Sequence, residues 1–149
     1  MSTPSRLAIA LGLAAVLAGC EGPTLLLPGG RIEGETAAAP DDWTFTHGVD
    51  TVQLETRPAD PYSVNLWITA ADGALYVHAG ASRSAWVEHI EADPNVRLRV
   101  ERSIYELAAA RVTDQAEFDR FSRAYQRKYG NPPRNGHVGE AYLFRLGAR

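Results

Sequence analysis

The sequence predicts an α+β domain that is mainly β, built as a small antiparallel barrel with two covering helices. Apolar and polar residues alternate over several short segments, as they do in strands with one buried face. An Asp-Gly pair joins two of these segments, and two other segments have apolar residues at helical spacing. The predicted order is β-β-β-α-β-β-α-β, and an open α+β sheet remains the alternative.

The first half of the domain is predicted to hold three strands and one helix. The strands cover residues 51–55, 64–69 and 74–78, and Asp72-Gly73 joins the last two as an antiparallel hairpin, because such a turn needs residues that tolerate positive φ. The helix covers residues 84–91, with Ser82 or Ser84 as its cap and Asp93-Pro94 as its stop.

The second half is predicted to add three strands and the longer helix. Strands cover residues 96–100 and 103–112. Asp114 and Glu117 have the spacing of a helix start, and residues 130–133, which read Gly-Asn-Pro-Pro, end that helix. The last strand covers residues 141–146.

The N-terminus has the pattern of an export signal. Residues 1–19 combine a basic start, an apolar run and small residues, which indicates a signal peptide rather than a membrane-spanning helix. Residues 17–20 read Leu-Ala-Gly-Cys and resemble the bacterial lipobox. That resemblance implies a lipid on Cys20 and an exported protein anchored in the cell envelope, at the periplasmic face or the outer membrane of a Gram-negative cell. An ordinary signal peptide is the alternative.

The rest of the chain divides into a tether and one domain. Residues 20–42 are rich in Gly, Pro and Ala and predict a flexible tether, and residues 43–149 are long enough for a single core. Cys20 is the only cysteine, so neither an intramolecular disulfide nor a catalytic thiol elsewhere is available. Without residues 1–19 the chain carries 14 basic and 18 acidic residues, a net charge of −4, which excludes a basic nucleic-acid surface.

Residues 64–112 resemble a known family. A strand, a tight turn and a strand ending in small and hydroxyl residues lead into a helix with Trp86, and Asp-Pro-Asn-Val at 93–96 opens the next strand. This arrangement resembles the FMN-binding split barrel, with the pyridoxamine-phosphate-oxidase-like proteins and the deazaflavin-dependent nitroreductases as nearest relatives. The resemblance implies a homodimer that holds FMN or the deazaflavin F420 between its subunits, and an oxidoreductase activity.

The stretch after the third strand has the features of a phosphate site. Gly80, Ser82, Arg83 and Ser84 combine a permissive backbone, hydroxyls and a guanidinium at a helix start, and all of these bind phosphate well. The split-barrel resemblance places the cofactor phosphate in the same region. The alternative is a structural loop with a serine cap and a solvated arginine.

The second strand supplies candidate contacts to the cofactor ring. Asn65, Trp67 and Thr69 share one face of this strand, where an amide can bond the ring edge and an indole can stack on it. A partner chain or water covering this face is the alternative.

Other chemistries have less support. The four histidines are scattered without metal-ligand spacing, so no metal site is predicted, and no side chain is an obvious catalytic acid or base. His78, at a strand end, is predicted to be a hydrogen-bonded residue of the barrel mouth.

Two functional hypotheses follow. In the first, an anchored lipoprotein binds a flavin-type nucleotide and transfers hydride. In the second, the barrel is a cofactor-free or haem-binding module that binds a small molecule or a protein. Residues 56–62 favour the second hypothesis, because Arg57 is their only basic residue where deazaflavin-dependent relatives carry a basic, glycine-containing segment.

Overall fold

The computed structural model describes residues 29–149. The predicted signal peptide, Cys20 and the first part of the predicted tether lie outside these residues. The strands are β1 (Glu35–Ala37), β2 (Thr51–Thr56), β3 (Tyr62–Ala71), β4 (Ala74–His78), β5 (Asn95–Val100), β6 (Ser103–Arg111) and β7 (Leu143–Ala148). The helices are α1 (Ala85–Ala92) and α2 (Gln115–Tyr129), with short 3-10 turns at Thr44–Gly48 and Val138–Glu140.

Six antiparallel strands close into a barrel. The order is β6-β5-β2-β3-β4-β7, and β7 pairs back onto β6. The predicted barrel with two helices, and the predicted element order, are therefore confirmed, and β1 is an additional strand. The β3–β4 hairpin also matches its prediction, because Asp72 and Gly73 have φ of 50° and 78° between the paired Ala71 and Ala74.

The barrel interior is an apolar core. Inward residues of the strands, such as Leu54, Ile68 and Leu98, are fully buried there. Helix α1 follows β4, and the turn Thr44–Gly48 precedes β2. Strands β2 and β4 are both antiparallel to β3, so these two elements lie at opposite ends of the barrel. Trp86 of α1 and Trp43 beside the turn are both part of the core.

Helix α2 builds a second apolar layer outside the barrel. Its residues Phe118, Phe121 and Ala124 are buried against outward side chains of β4 and β7, among them Tyr76 and Leu143. Asp114 caps the helix, since its carboxylate accepts a hydrogen bond from the Glu117 amide at 2.7 Å. Gly130 ends it in a left-handed conformation with φ of 82°.

Residues 29–37, which we call the N-terminal belt, cross the outside of the barrel. Gly29 exchanges two backbone hydrogen bonds of 2.8 Å with Ser63 of β3, and β1 pairs in parallel with β6. Between these contacts Ile32 is 4% exposed. Part of the segment that the sequence assigns to a flexible tether is thus packed on the domain.

A buried acid holds the belt in place. Glu55 of β2 is 1% exposed, and its Oε2 accepts a hydrogen bond of 2.6 Å from the Ile32 amide. Arg97 Nη1 lies 3.0 Å from the same oxygen and also donates to the Ile32 carbonyl at 3.2 Å. Because the carboxylate is paired and hydrogen-bonded, its burial is compensated.

Candidate functional site

The outward face of β3 carries the polar and aromatic residues that the sequence assigns to ring binding. Leu66 and Ile68 point into the barrel, so Asn65, Trp67 and Thr69 share the outer face, as the alternation predicts. Trp67 is 56% exposed, although Thr69 is buried. The Trp67 indole stacks on the Tyr129 ring of α2 with centroids 4.6 Å apart and an interplanar angle of 13°. One face of the indole is therefore supported by α2.

Strands β3 and β4 separate beside Trp67. Their pairing begins at the hairpin and ends with Ile68 opposite Val77. His78, the next residue of β4, pairs with Leu143 of β7. Trp67 and the start of the loop that contains Gly80 therefore lie at the same end of the β3–β4 ladder. Beyond this end the loop bonds to Tyr142, through the Ala79 amide and the Gly80 carbonyl.

The loop at residues 80–84 has a fixed backbone. Gly80 has φ of 58°, and its carbonyl accepts a hydrogen bond of 2.7 Å from the Tyr142 amide. The Ser82 amide donates to the Ala79 carbonyl at 3.2 Å, so this donor is already used. Left-handed backbone favours glycine, which gives Gly80 a structural reason to be there.

Ser84 occupies the N-cap of α1, but its hydroxyl does not cap. Its backbone is extended, with φ of −74° and ψ of 163°, and its side chain makes no capping hydrogen bond. The Oγ atom is buried without a hydrogen-bond partner among the described residues. The sequence identified the cap position correctly, and the structure leaves the hydroxyl available.

Arg83, which precedes α1, is engaged by two acids of that helix. Its Nη2 donates to Glu91 Oε2 at 2.8 Å, and its Nε lies 3.8 Å from Glu88 Oε1. The hydrogen bond to Glu91 raises the pKa of Arg83 above its ordinary value. The arginine that the sequence assigns to a phosphate thus has carboxylates as competitors for such an anion.

His78 lies between the loop and α2, in an aromatic setting that the sequence did not reveal. Its ring is 5.4 Å from Phe121 and 6.0 Å from Tyr125, centroid to centroid. Burial lowers the pKa of His78 to about 4, so the imidazole is neutral at pH 7. Its Nε2 is buried and has no hydrogen-bond partner within residues 29–149.

The spacing of Phe118, Phe121 and Tyr125 predicts an aromatic face on α2, but its extension to Tyr129 and its contact with Trp67 were missed by the sequence argument. Tyr125 and Tyr129, with centroids 4.8 Å apart, extend the buried rings of Phe118 and Phe121 toward Trp67. The spacing of four residues between Tyr125 and Tyr129 would have shown this extension, because such residues share a helix face. The aromatic face links His78 and Trp67 across the outer surface of the barrel.

Arg57 has a local role at the other end of this region. Its guanidinium lies 3.3 Å from Asp60 and 5.7 Å from the centroid of the Tyr62 ring. Its Nε is buried without a partner in the described chain, and its φ is 54°.

Neither α1 nor α2 is long and apolar enough to span a membrane, in a search limited to residues 29–149. Over the same residues, no three His, Cys, Asp or Glu side chains are grouped to hold a metal ion.

The fold of this chain is similar to the folds of several solved structures. A conserved hypothetical protein from Mycobacterium tuberculosis matches with a TM-score of 0.59 at 20% identity, over 70% of this chain and 76% of that one. A putative pyridoxamine 5′-phosphate oxidase from Listeria innocua matches with a TM-score of 0.52 at 13% identity, over 67% and 84%. The haem storage protein HutZ from Vibrio cholerae matches with a TM-score of 0.53 at 15% identity, over 70% and 86%.

These matches define the class of fold. The chain has the split-barrel fold of the pyridoxamine-phosphate-oxidase-like proteins, as the resemblance of residues 64–112 predicted. At these identities the likeness concerns the fold alone. No protein-family model matches the chain, and no curated protein matches it.

Proposed function

We propose that this protein is a lipid-anchored envelope protein whose split barrel binds a flavin-type nucleotide, FMN or a deazaflavin, on its outer face. The observation that carries the proposal is that the outward Trp67 lies at the end of the β3–β4 ladder from which the chain enters the loop at residues 80–84. Solved relatives of this fold include a putative pyridoxamine 5′-phosphate oxidase, which supports a phosphorylated aromatic ligand.

The residues present fit such a ligand in three respects. Trp67 offers an exposed indole that is held by Tyr129, so a flat ring could stack there without first ordering the side chain. Ser84 has a hydroxyl without a partner in the described chain, at the N-terminus of α1, which favours negative charge. Arg83 keeps its Nη1 outside both of its ion pairs.

The chain would hold and orient the cofactor rather than react with it. Ser82, Arg83 and Ser84 would bind the phosphate next to Gly80, and Asn65 and Trp67 would contact the ring. When bound, a flavin or deazaflavin would supply hydride transfer. A homodimer would cover the exposed Trp67 face, which makes the dimer part of this proposal.

A fluorescence titration of the full-length protein with FMN and with riboflavin tests the phosphate assignment. We expect Arg83→Ala to weaken FMN binding about tenfold and to leave riboflavin binding unchanged, since only FMN carries the phosphate. Glu91→Gln should tighten FMN binding, because it removes a competitor for the guanidinium. Arg102→Ala, at an exposed position in the β5–β6 turn, is the matched control. Equal affinity for FMN and riboflavin would refute the phosphate site.

A cofactor-free binding module is the second candidate, and the ion pairs of Arg83 favour it. In that case neither FMN, a deazaflavin nor haem would bind saturably, and the purified protein would be colourless. The visible absorption spectrum of the protein, followed by titration with all three compounds, distinguishes the two candidates.

The anchor is tested separately. Lipidation of Cys20 predicts that labelled palmitate is incorporated into the full-length chain and that the protein sediments with membranes. Cys20→Ala should abolish both. A chain that stays in the soluble fraction with Cys20 intact would contradict the anchor and leave the cofactor proposal untouched.

A further inference from the structure

A cavity lies at the C-terminal end of α2, and residues 80–84 do not line it. It has a volume of about 360 Å³, within the range of small-molecule sites. Its walls come from the turn before β2, from the outward side of β3 and from the last turns of α2, and its lining includes His47, Asp50, Thr69, Ala124, Arg127 and Lys128. Of the face of β3 that the sequence assigns to ring binding, Thr69 lines this cavity and Asn65 and Trp67 do not.

A small side chain on α2 creates this space. Ala124 is buried where the helix faces β3, and a larger residue there would fill the gap between helix and barrel. The cavity therefore follows from the packing of this sequence rather than from a loose surface loop.

The two basic residues that line the cavity differ in their hydrogen bonding. Lys128 Nζ donates to three backbone carbonyls, of Thr46 at 3.1 Å, Val49 at 2.5 Å and Ile68 at 2.9 Å, so its donors are fully used. Arg127 makes no hydrogen bond or ion pair with any residue in the range 29–149. Its guanidinium is the free cation of the lining.

The balance of charge favours an anion. Lys128 and Arg127 outnumber Asp50, so the lining has a formal net charge of +1. The carbonyl end of α2 carries roughly half a negative charge, which reduces this excess without cancelling it. The three carbonyls bonded to Lys128 stabilise the ammonium but remove no net charge.

We infer that this cavity binds a small monocarboxylate, whose carboxylate pairs with Arg127. The planar guanidinium is suited to a carboxylate because it can donate two parallel hydrogen bonds. Thr69 adds a hydroxyl to the buried wall, and Ala124 leaves room for a short apolar or hydroxylated side chain. The inference is independent of the flavin proposal.

Calorimetric titration of the full-length protein with acetate, lactate and the neutral analogue lactamide tests this inference. We expect saturable binding of a carboxylate and none of lactamide. Arg127→Gln should weaken binding at least tenfold, and Arg123→Gln, one turn earlier on the exposed side of α2, should leave it unchanged.

The sign of the Asp50 effect decides the charge class of the ligand. Asp50→Asn removes a negative charge from the lining, so a monocarboxylate should bind several-fold more tightly. Titration with alanine covers the zwitterionic case, in which the ammonium would need Asp50 and the same substitution would weaken binding. Preference for alanine over lactate, no saturable carboxylate binding, or equal losses in the Arg127 and Arg123 variants would each overturn the inference.

Discussion

Lys128 is the only lysine in a chain with fourteen arginines, and the structure gives a physical reason for it. Three carbonyls from the turn before β2, from Val49 and from β3 converge on its ammonium. A tetrahedral ammonium can point three donors at such a group, and a planar guanidinium cannot. Hydrogen-bond geometry therefore explains a lysine at this position.

Lys128→Arg should therefore lower the free energy of unfolding by about 1–3 kcal/mol, because carbonyl partners would be lost in a partly buried site. Urea denaturation of the full-length protein measures this loss. Arg123→Lys is the reciprocal control on the same helix and should change stability by less than about 0.5 kcal/mol. Equal effects of the two changes would mean that the carbonyl cluster contributes nothing specific.

His78 gives the domain an acid-sensitive stability. Burial lowers its pKa from 6.5 to about 4, so the unfolded chain takes up the proton first as the pH falls below 6.5. Stability should therefore decrease between pH 6.5 and 4, by at most about 3 kcal/mol from this residue, and His78 should contribute no further slope below that range.

Measuring the free energy of unfolding of the wild type and of His78→Phe as a function of pH tests this predicted decrease. Phenylalanine fits among the neighbouring rings of Phe121 and Tyr125 and carries no titrating group. The wild type should lose stability relative to this variant on acidification, and His137→Gln should keep the wild-type slope. Parallel curves for the wild type and His78→Phe would show that the imidazole is not desolvated.

At the scale of elements, the two helices begin differently although both have a typical capping residue. Asp114 accepts a hydrogen bond from the Glu117 amide, whereas the Ser84 hydroxyl caps nothing. The sequence alone predicts a side-chain cap at both positions, because Asp and Ser are both preferred N-cap residues. The rotamer of a serine is decided by its surroundings, and these depend on the fold.

Asp114→Ala should cost about 1 kcal/mol of stability, and Ser84→Ala should change it by less than about 0.5 kcal/mol. Thermal or urea unfolding of both variants measures the difference. If Ser84 binds phosphate as proposed, Ser84→Ala should nevertheless weaken FMN binding. A large loss of stability in Ser84→Ala would indicate that the hydroxyl serves the helix after all.

At the scale of the whole molecule, the belt is part of the folded unit. Ile32 is nearly as buried as the barrel core and is joined to Glu55 through its amide. Ile32→Ala should cost about 2 kcal/mol, as expected for a large-to-small change at a buried site. Glu33→Ala keeps the backbone contacts of the belt at an exposed position and is the control. Urea denaturation of both variants decides whether the belt contributes to stability.

How far the sequence predicts this molecule depends on the range of the interactions involved. Alternation and turn residues predict all six barrel strands and both helices, because these signals are local. They do not predict β1, since its three residues acquire strand geometry only by pairing with distant residues of β6. Arg83 shows the same limit within the candidate site. Its type and position indicate phosphate binding, but its contacts with Glu88 and Glu91 appear only once α1 is folded.

The bridge between Gly29 and Ser63 has a consequence for how the protein would sit in a cell. Gly29 is fixed beside β3, the strand that carries Trp67. Cys20 precedes Gly29 by nine residues, a reach of at most about 30 Å for a fully extended chain. If Cys20 carries lipid, Gly29 would be held within that distance of the membrane surface. Small apolar molecules dissolved in the bilayer would then be close to the proposed flavin-binding face.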